Sequence, residues 1–319
     1  MESFDLVTGG AGFIGSHLSQ ALQKKGRRVK VLDDLSTGRR SNLEPLLQTA
    51  PGQFEFIEGD IRDLELLKRV VEGADSIFHQ AAIPSVQHSI DDPAMSNSVN
   101  VTGALNVLVA AKDAGVKNVV LASSCAIYGD SEELPKRESM EINPLSPYAV
   151  TKRCDELYAK VFSGVYGLSC VSLRYFNVFG PRQDPSSDYA AVVPKFITRM
   201  LDGVPPIIFG DGEQSRDFIY VENVARANML GAEADVEGQI LNIGCGEQRT
   251  LNQLVTILNG ILGTSFEPEY RESRAGDVRK SEGDISLARE VIGFEPTISV
   301  QEGLEKTVEW FQRQRAIRV

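Results

Sequence analysis

Through the first half of this chain, short apolar runs alternate with longer stretches in which apolar residues recur every three or four positions. The short runs predict strands at Phe4–Thr8, Val29–Asp33, Phe54–Gly59, Ser76–Gln80, Val119–Ser123 and Cys170–Tyr175. The periodic stretches predict helices near Ile14–Lys25, Leu64–Glu72, Asn97–Ala114 and Tyr148–Tyr166. Continuous apolar strands separated by helices imply an α/β fold: a doubly wound parallel sheet covered on both faces. Such a sheet binds its ligands at the carboxyl ends of its strands.

Beyond Phe176 the pattern loosens. Pro181, Pro185, Pro194, Pro205 and Pro206 punctuate this half, and Gly210-Asp211-Gly212 marks a tight turn. Asp217–Val221 and Ile240–Gly244 predict further short strands, and helices follow near Leu251–Leu262 and Val300–Arg313, the latter with Trp310 and Phe311 on its core side. No internal repeat or low-complexity tract interrupts the chain. The expected organisation is a nucleotide-binding domain, residues 1–176 with about 217–244, and a smaller interleaved α/β domain, about 177–216 with 245–319.

Composition narrows the possibilities. A formal net charge of -11 over 319 residues argues against a phosphate-backbone binder, which needs a basic face, so no nucleic-acid partner is expected. Cys125, Cys154, Cys170 and Cys245 are scattered, as are His17, His79 and His88, so no metal-ligand spacing is present and the thiols read as reduced. No apolar run is long enough to cross a bilayer, and Glu2, Asp5 and a glycine loop beginning at Gly9 leave no room for a signal peptide. A cytoplasmic protein without membrane contact is expected.

The first strand runs directly into Gly9-Gly10-Ala11-Gly12-Phe13-Ile14-Gly15. Glycines at positions 9, 12 and 15, between a strand and a helix, let backbone N–H groups and the helix N-terminus approach a pyrophosphate. Asp33 closes the second strand at the distance where a carboxylate accepts bonds from the adenosine ribose and repels a 2′-phosphate, so NAD is expected over NADP. Arg39 and Arg40 lie near enough in sequence to weigh against that preference. Asp34 reads either as a cofactor contact or as an exposed turn residue, and Asp60-Ile61 either as adenine contacts or as a turn.

Ser146-Pro147 suits a helix start, with Ser146 as N-cap and Pro147 in the first turn. Tyr148 and Lys152, four apart, then share one helix face, where the ammonium should favour phenolate and lower the tyrosine pKa. Ser124 lies twenty-four positions upstream of Tyr148 at the end of a predicted strand. Together with the glycine loop and Asp33, these residues make the chain resemble the extended short-chain dehydrogenase/reductases and, within them, the nucleotide-sugar 4-epimerases, closest to those acting on UDP-glucose or UDP-N-acetylglucosamine. Matching stretches extend over essentially the whole chain: Asn100-Val101-Thr102-Gly103, Ala122–Gly129, Arg174–Arg182, Gly210-Asp211-Gly212, Arg216-Asp217-Phe218 and Arg274–Ser281.

The resemblance implies roles. Tyr148, Lys152 and Ser124 would be catalytic; Tyr148 would take the proton of the sugar C4 hydroxyl, held as phenolate by Lys152 and oxidised nicotinamide together. Phe13, Ile14, Gln80, Ala81, Ala82, Asn100, Ser123 and Tyr175 would line the NAD site, with Lys152 on the nicotinamide ribose. Asn177, Arg216, Arg274 and Asp277 would hold the nucleotide diphosphate, Ile207 and Phe209 would border the uracil, and Val192 would join the substrate contacts. Ser281 matches a position where some members carry a tyrosine facing the sugar C2 substituent; its small side chain leaves room for an N-acetyl group. UDP-GlcNAc/UDP-GalNAc is therefore the expected substrate pair, with UDP-glucose/UDP-galactose also accepted.

Sister reactions fit less well. The 4,6-dehydratases would carry Asp-Glu where Cys125-Ala126 stand, and the UDP-glucuronate decarboxylases would carry Glu at Ala126. Alanine transfers no proton. Cys125 sits one residue out of register with the catalytic cysteine of the 3,5-epimerase/reductases, so an inert thiol is expected. A UDP-glucuronate 4-epimerase shares this catalytic set and is the nearest rival; a non-catalytic NAD-binding sensor or scaffold is the remote one. The helices containing Asn97–Ala114 and Tyr148–Tyr166 would, by resemblance, form a four-helix interface of a homodimer.

Overall fold

The computed structural model describes residues 3–185, 191–273 and 279–318; Arg274 and Asp277 lie outside the described residues. In the first half, β1 (Phe4–Thr8), β2 (Val29–Asp33), β3 (Phe54–Glu58), β4 (Ala74–His79), β5 (Asn118–Ser124) and β6 (Ser169–Tyr175) follow the predicted runs. Between them lie α1 (Phe13–Lys24), α2 (Glu44–Thr49), α3 (Leu64–Val70), α4 (Val86–Asp91), α5 (Pro93–Asn97), α6 (Gly103–Asp113) and α7 (Pro147–Tyr166). The single helix expected over Asn97–Ala114 is α5 and α6 joined by a π-helical turn at Ser98–Thr102. Short α4 and α2 carry too few apolar positions to show a helical period in the sequence.

The second half contains β7 (Asn177–Phe179), α8 (Val192–Leu201), β8 (Ile207–Phe209), β9 (Ser215–Arg216), β10 (Phe218–Tyr220), α9 (Val221–Glu233), β11 (Gln239–Ile243), β12 (Arg249–Thr250), α10 (Leu251–Leu262), β13 (Glu269–Arg271), α11 (Ser286–Ile292) and α12 (Val300–Arg318). Seven strands form one sheet in the order β11-β6-β5-β4-β1-β2-β3, with every neighbouring pair parallel. Strand order reverses between β1 and β4, and the crevice there is the binding position of a doubly wound sheet.

Alternate strand residues explain the two covered faces. Val7, Val120, Val171 and Leu173 pack with Leu18 and Leu22 of α1 and Val224 and Ala227 of α9. Leu6, Val119, Leu121 and Cys170 face the other way, against Leu67 of α3, Val107 and Leu108 of α6 and Phe162 of α7. Each fully buried Val or Leu contributes about 1.5–3 kcal/mol through removal from water.

The packing departs from the expected division of the chain at two places. Phe218–Tyr220 pairs in parallel with Asn177–Phe179, so the start of the 217–244 segment sits with the second half. Conversely, Ile285, Ala288, Ile292 and Phe294 are buried beside α9 and β11 in the first-half core. The remainder of the second half has its own core, in which Phe196, Ile197, Leu254, Leu258, Leu304 and Phe311 meet around the small two-stranded pairs.

Candidate functional site

The site begins with the glycine loop. Gly9 has φ +69, and a Cβ there would lie 2.6 Å from the Ala81 nitrogen. A Cβ at Gly15 would lie 2.2 Å from the Gly9 carbonyl oxygen, so the loop and the first turn of α1 close only without side chains. Asp33, at the end of β2, accepts from Ala11 N at 2.9 Å and Leu35 N at 2.8 Å, fixing its carboxylate beside the loop. Arg39 is ion-paired with Asp184 and Arg40 with Glu58, so both cations that weighed toward NADP are already engaged. Asp60 is held by Arg62, whose Nε donates at 2.9 Å.

These elements open onto a cleft of about 640 Å³. Its walls include Gly9, Gly12, Phe13, Ile14 and Gly15, the acids Asp33, Asp34 and Asp60, then Ile61, Gln80, Ala81, Ala82, Ser123, Tyr148, Lys152 and Tyr175. Thr37, Ile83, His88, Met95, Val99 and Ala122 also line it, and sequence reasoning missed them because most lie on loops or short helices without a periodic signal. Asn100 differs from expectation: it is fully buried away from the cleft wall, its Oδ1 accepting from Ile83 N at 2.8 Å and its Nδ2 donating to Thr151 Oγ1 at 3.0 Å. It holds the wall together from behind. Tyr175 lies on the wall within a small ring of bonds: Asn228 Nδ2 donates to its hydroxyl at 2.8 Å, which donates to Gln80 Oε1 at 3.2 Å.

Helix α7 presents Tyr148 and Lys152 to the cleft. Ser146 caps it, accepting from Ala149 N at 3.2 Å, with Pro147 in the first turn and Gly167 in the left-handed conformation at its end. The Tyr148 backbone N–H donates to Ser89 Oγ at 3.0 Å, locking the first turn against α4. The Ser124 side chain lies close enough to the Tyr148 phenol to favour its ionised form, and the Ser124 Oγ accepts from Ala126 N at 3.2 Å. The sequence led to the expectation of a lowered tyrosine pKa, and the fold gives the opposite direction. Burial pushes the Tyr148 phenol above its ordinary value, and neither the Lys152 charge nor the nearby Ser124 side chain reverses this.

Behind the pair lies a buried charge network. Glu156 accepts from Ser123 Oγ at 2.7 Å, Arg174 Nε at 2.7 Å and Nη2 at 3.0 Å, and Arg153 Nη1 at 2.9 Å. Arg174 also donates to Tyr128, which donates to Asn242 Oδ1, both at 2.7 Å. Strands β5, β6 and β11 and helix α7 are thereby tied through one carboxylate. The clue in the sequence is Glu156 four positions beyond Lys152, hence on the same inward face.

Of the second-half residues, Asn177 follows β6 closely, and Arg216 and Ser281 lie near Cys125 at the end of β5. Asn177 begins β7, and its side-chain Nδ2 is buried without a partner, a donor available to an anion. Ile207 and Phe209 belong to β8, paired with β13; Val192 opens α8; Arg216 lies in β9 and donates to the Ser215 carbonyl at 2.8 Å. Ser281 is buried beside Cys125, near the Arg216 charge. Burial drives the Cys125 thiol up to about 11, which keeps it protonated and unreactive. Among the described residues no group of His, Cys, Asp and Glu could hold a metal, and no helix is long and apolar enough to cross a membrane.

A doubly wound sheet with this loop and a Ser-Tyr-Lys set at its crevice defines a nicotinamide-dinucleotide enzyme of the short-chain reductase type. The model of the NAD dependent epimerase/dehydratase family matches residues 6–244. The chain belongs to that family; it is an NAD-dependent epimerase, and its cofactor is NAD. It is 41% identical over 309 residues to the UDP-glucose 4-epimerase of Mycolicibacterium smegmatis, covering 96% of this chain and 98% of that one. It superposes with TM-score 0.92 on the UDP-N-acetylglucosamine 4-epimerase from Methanobrevibacter ruminantium M1 in complex with UDP-N-acetylmuramic acid, at 42% identity, covering 98% of this chain and 100% of that one. The UDP-glucose 4-epimerase of Thermotoga maritima, with UDP-glucose, gives the same TM-score of 0.92, identity of 42% and coverage of 98% and 100%.

Proposed function

We propose that this protein interconverts the C4 epimers of a UDP-hexose through a 4-keto sugar, acting on UDP-GlcNAc/UDP-GalNAc and also on UDP-glucose/UDP-galactose. The observation that carries this reading is the closeness of Ser124 and Tyr148, beside Lys152 at the crevice, with Cys125 and Ala126 where elimination chemistry would need carboxyls. Held by the glycine loop, Asp33 and Lys152, NAD would supply the acceptor and donor of the C4 hydride. Tyr148 takes the C4 hydroxyl proton and gives it back, while Ser124 holds O4 in line. Because burial keeps the phenol above its ordinary value, Lys152 cannot by itself make Tyr148 a base at neutral pH; the oxidised nicotinamide must supply further positive charge.

Asn177 and Arg216, with Arg274 and Asp277, are the proposed diphosphate contacts, and arginine suits paired oxygens. Ile207, Phe209 and Val192 border the base. Firm anchoring at the diphosphate leaves the sugar free to present either face. The protein is also proposed to act as a homodimer through α6 and α7, in the cytoplasm. Val150, Leu157, Val161 and Val165 form an exposed apolar stripe along α7, which supports a helix-pair interface; sedimentation as a monomer at micromolar concentration would remove it. The functional reading is tested by incubating the protein with each UDP-sugar and identifying products by NMR. A new C4 epimer from the N-acetyl pair is expected; turnover of neither pair sinks the reading.

A further inference from the structure

Lys152 is a buried cation whose side-chain hydrogen bond runs away from the cleft, from Nζ to Asp155 Oδ2 at 3.3 Å. Both side chains are almost wholly removed from water, 3% and 2% exposed. The other Asp155 oxygen, Oδ1, is buried without a partner. Asp155 thus spends its charge on Lys152 alone. Its neighbour Glu156 cannot substitute, because Arg174, Arg153 and Ser123 already occupy that carboxylate.

The titratable groups on the neighbouring strands are neutral or paired. On β4, burial drives the His79 imidazole down to about 3, and its Nδ1 lies 2.8 Å from Thr8 Oγ1. After β5, the Cys125 thiol is held protonated. On β6, Tyr175 is pushed up by burial and Arg174 is paired with Glu156. On α7 itself, the Cys154 thiol is also raised, and Arg153 is paired with Glu156. His88 of α4 stands on the cleft wall.

We propose that Asp155 is a positioning residue of the reaction: its carboxylate anchors the Lys152 ammonium from behind and balances its charge, so that it restrains ionisation of the Tyr148 phenol. The inference rests on the reading of Tyr148 as the proton-transfer group. Its physical content is simple. A lysine alone presents one positive charge to the phenol; a lysine with a buried counter-ion presents a dipole, whose field is weaker. Burial also pushes the Asp155 carboxyl up to about 6, so above that pH the pair is balanced and below it the ammonium acts alone. The charge that Asp155 withholds is the charge that oxidised nicotinamide must add, which makes phenolate formation depend on a loaded cofactor.

The test replaces the carboxylate by a group of the same shape. In the NAD-loaded enzyme, Asp155→Asn should raise the Tyr148 ionisation constant about tenfold, a shift of about one pH unit downward. Two readouts follow it: the ultraviolet phenolate absorbance, taken as the difference from the matching Tyr148→Phe protein, and the acid limb of kcat/KM. Asp155→Glu should keep the wild-type midpoint, and Asp155→Ala provides the same loss of charge if the Asn protein does not fold. A phenolate titration that stays put, or moves to higher pH, in the neutral variants overturns the proposal. The absorbance needs no turnover, so a protein that epimerises no UDP-sugar would refute the proposed activity while leaving the Asp155 measurement decisive.

Discussion

The two halves of this molecule build their parts of the site by different means. In the first, every proposed reacting group comes from a strand end or from one long helix, and the backbone beneath is a single seven-stranded parallel sheet. In the second, Asn177, Ile207, Phe209 and Arg216 among the proposed substrate contacts sit on two- and three-residue strands that pair only with one another. A buried ion network braces the first half, centred on Glu156 and Arg174. One carboxylate braces the second: Asp217, which accepts from Cys245 N at 2.7 Å, Gly246 N at 3.1 Å and Gly283 N at 3.2 Å. Chemistry that tolerates no misplacement rests on the continuous sheet, and recognition that varies among nucleotide-sugar enzymes rests on small, separable pieces.

The largest expected effect tests the chemical half. Tyr148→Phe should lower kcat by between about 10² and 10⁴, the range for losing a positioned acid–base group, while NAD affinity by fluorescence titration stays near wild type. Glu156→Ala should cost about 3–5 kcal/mol in denaturant unfolding, because Arg174 is left as an unpaired buried charge. If its stability matched wild type, the brace of the first half would be misidentified.

The second half should respond in specificity rather than in chemistry. Ser281→Tyr is expected to lower kcat/KM for UDP-GlcNAc by about tenfold or more while sparing UDP-glucose. Equal losses for both sugars, or none for the N-acetyl pair, would place the gate elsewhere. The smallest effect concerns Asp217, whose carboxyl burial pushes up to about 7 in spite of its three backbone donors. A folded value above the unfolded one stabilises the fold most below about pH 4, and that contribution is lost as pH rises through 7. The Tm of Asp217→Asn relative to wild type should therefore improve from pH 4 to pH 8; a constant difference would show that this carboxyl does not titrate as described.

Much of the first half was legible in the chain. Apolar runs located all six of its strands, and Ser146-Pro147 located the start of α7. The glycine loop, Asp33, Gln80–Ala82 and the Tyr148/Lys152 pair do converge on one cleft, because a parallel sheet brings its carboxyl ends together. Helices α8 and α9 were not read, although both are amphipathic: Pro194 stands in the first turn of α8, and α9 follows a three-residue strand without a break. The return of Ile285–Phe294 to the first core was also hidden, since contact across that distance leaves no local pattern. Asn100 was expected to face the cofactor and instead braces the wall behind it, a difference that depends on the π-helical turn around it.

Local chemistry in the sequence was enough to specify which residue types would meet: a glycine turn, an acid after the second strand, and a tyrosine and lysine on one helical face. Those are properties of backbone geometry and spacing, which the chain carries in itself. Whether the tyrosine is an easy base depends on what surrounds it: burial, Asp155 behind Lys152 on the same helix, and Ser124 at the end of β5. Electrostatic energies are set by distance and by exclusion of water, and only the folded chain fixes either.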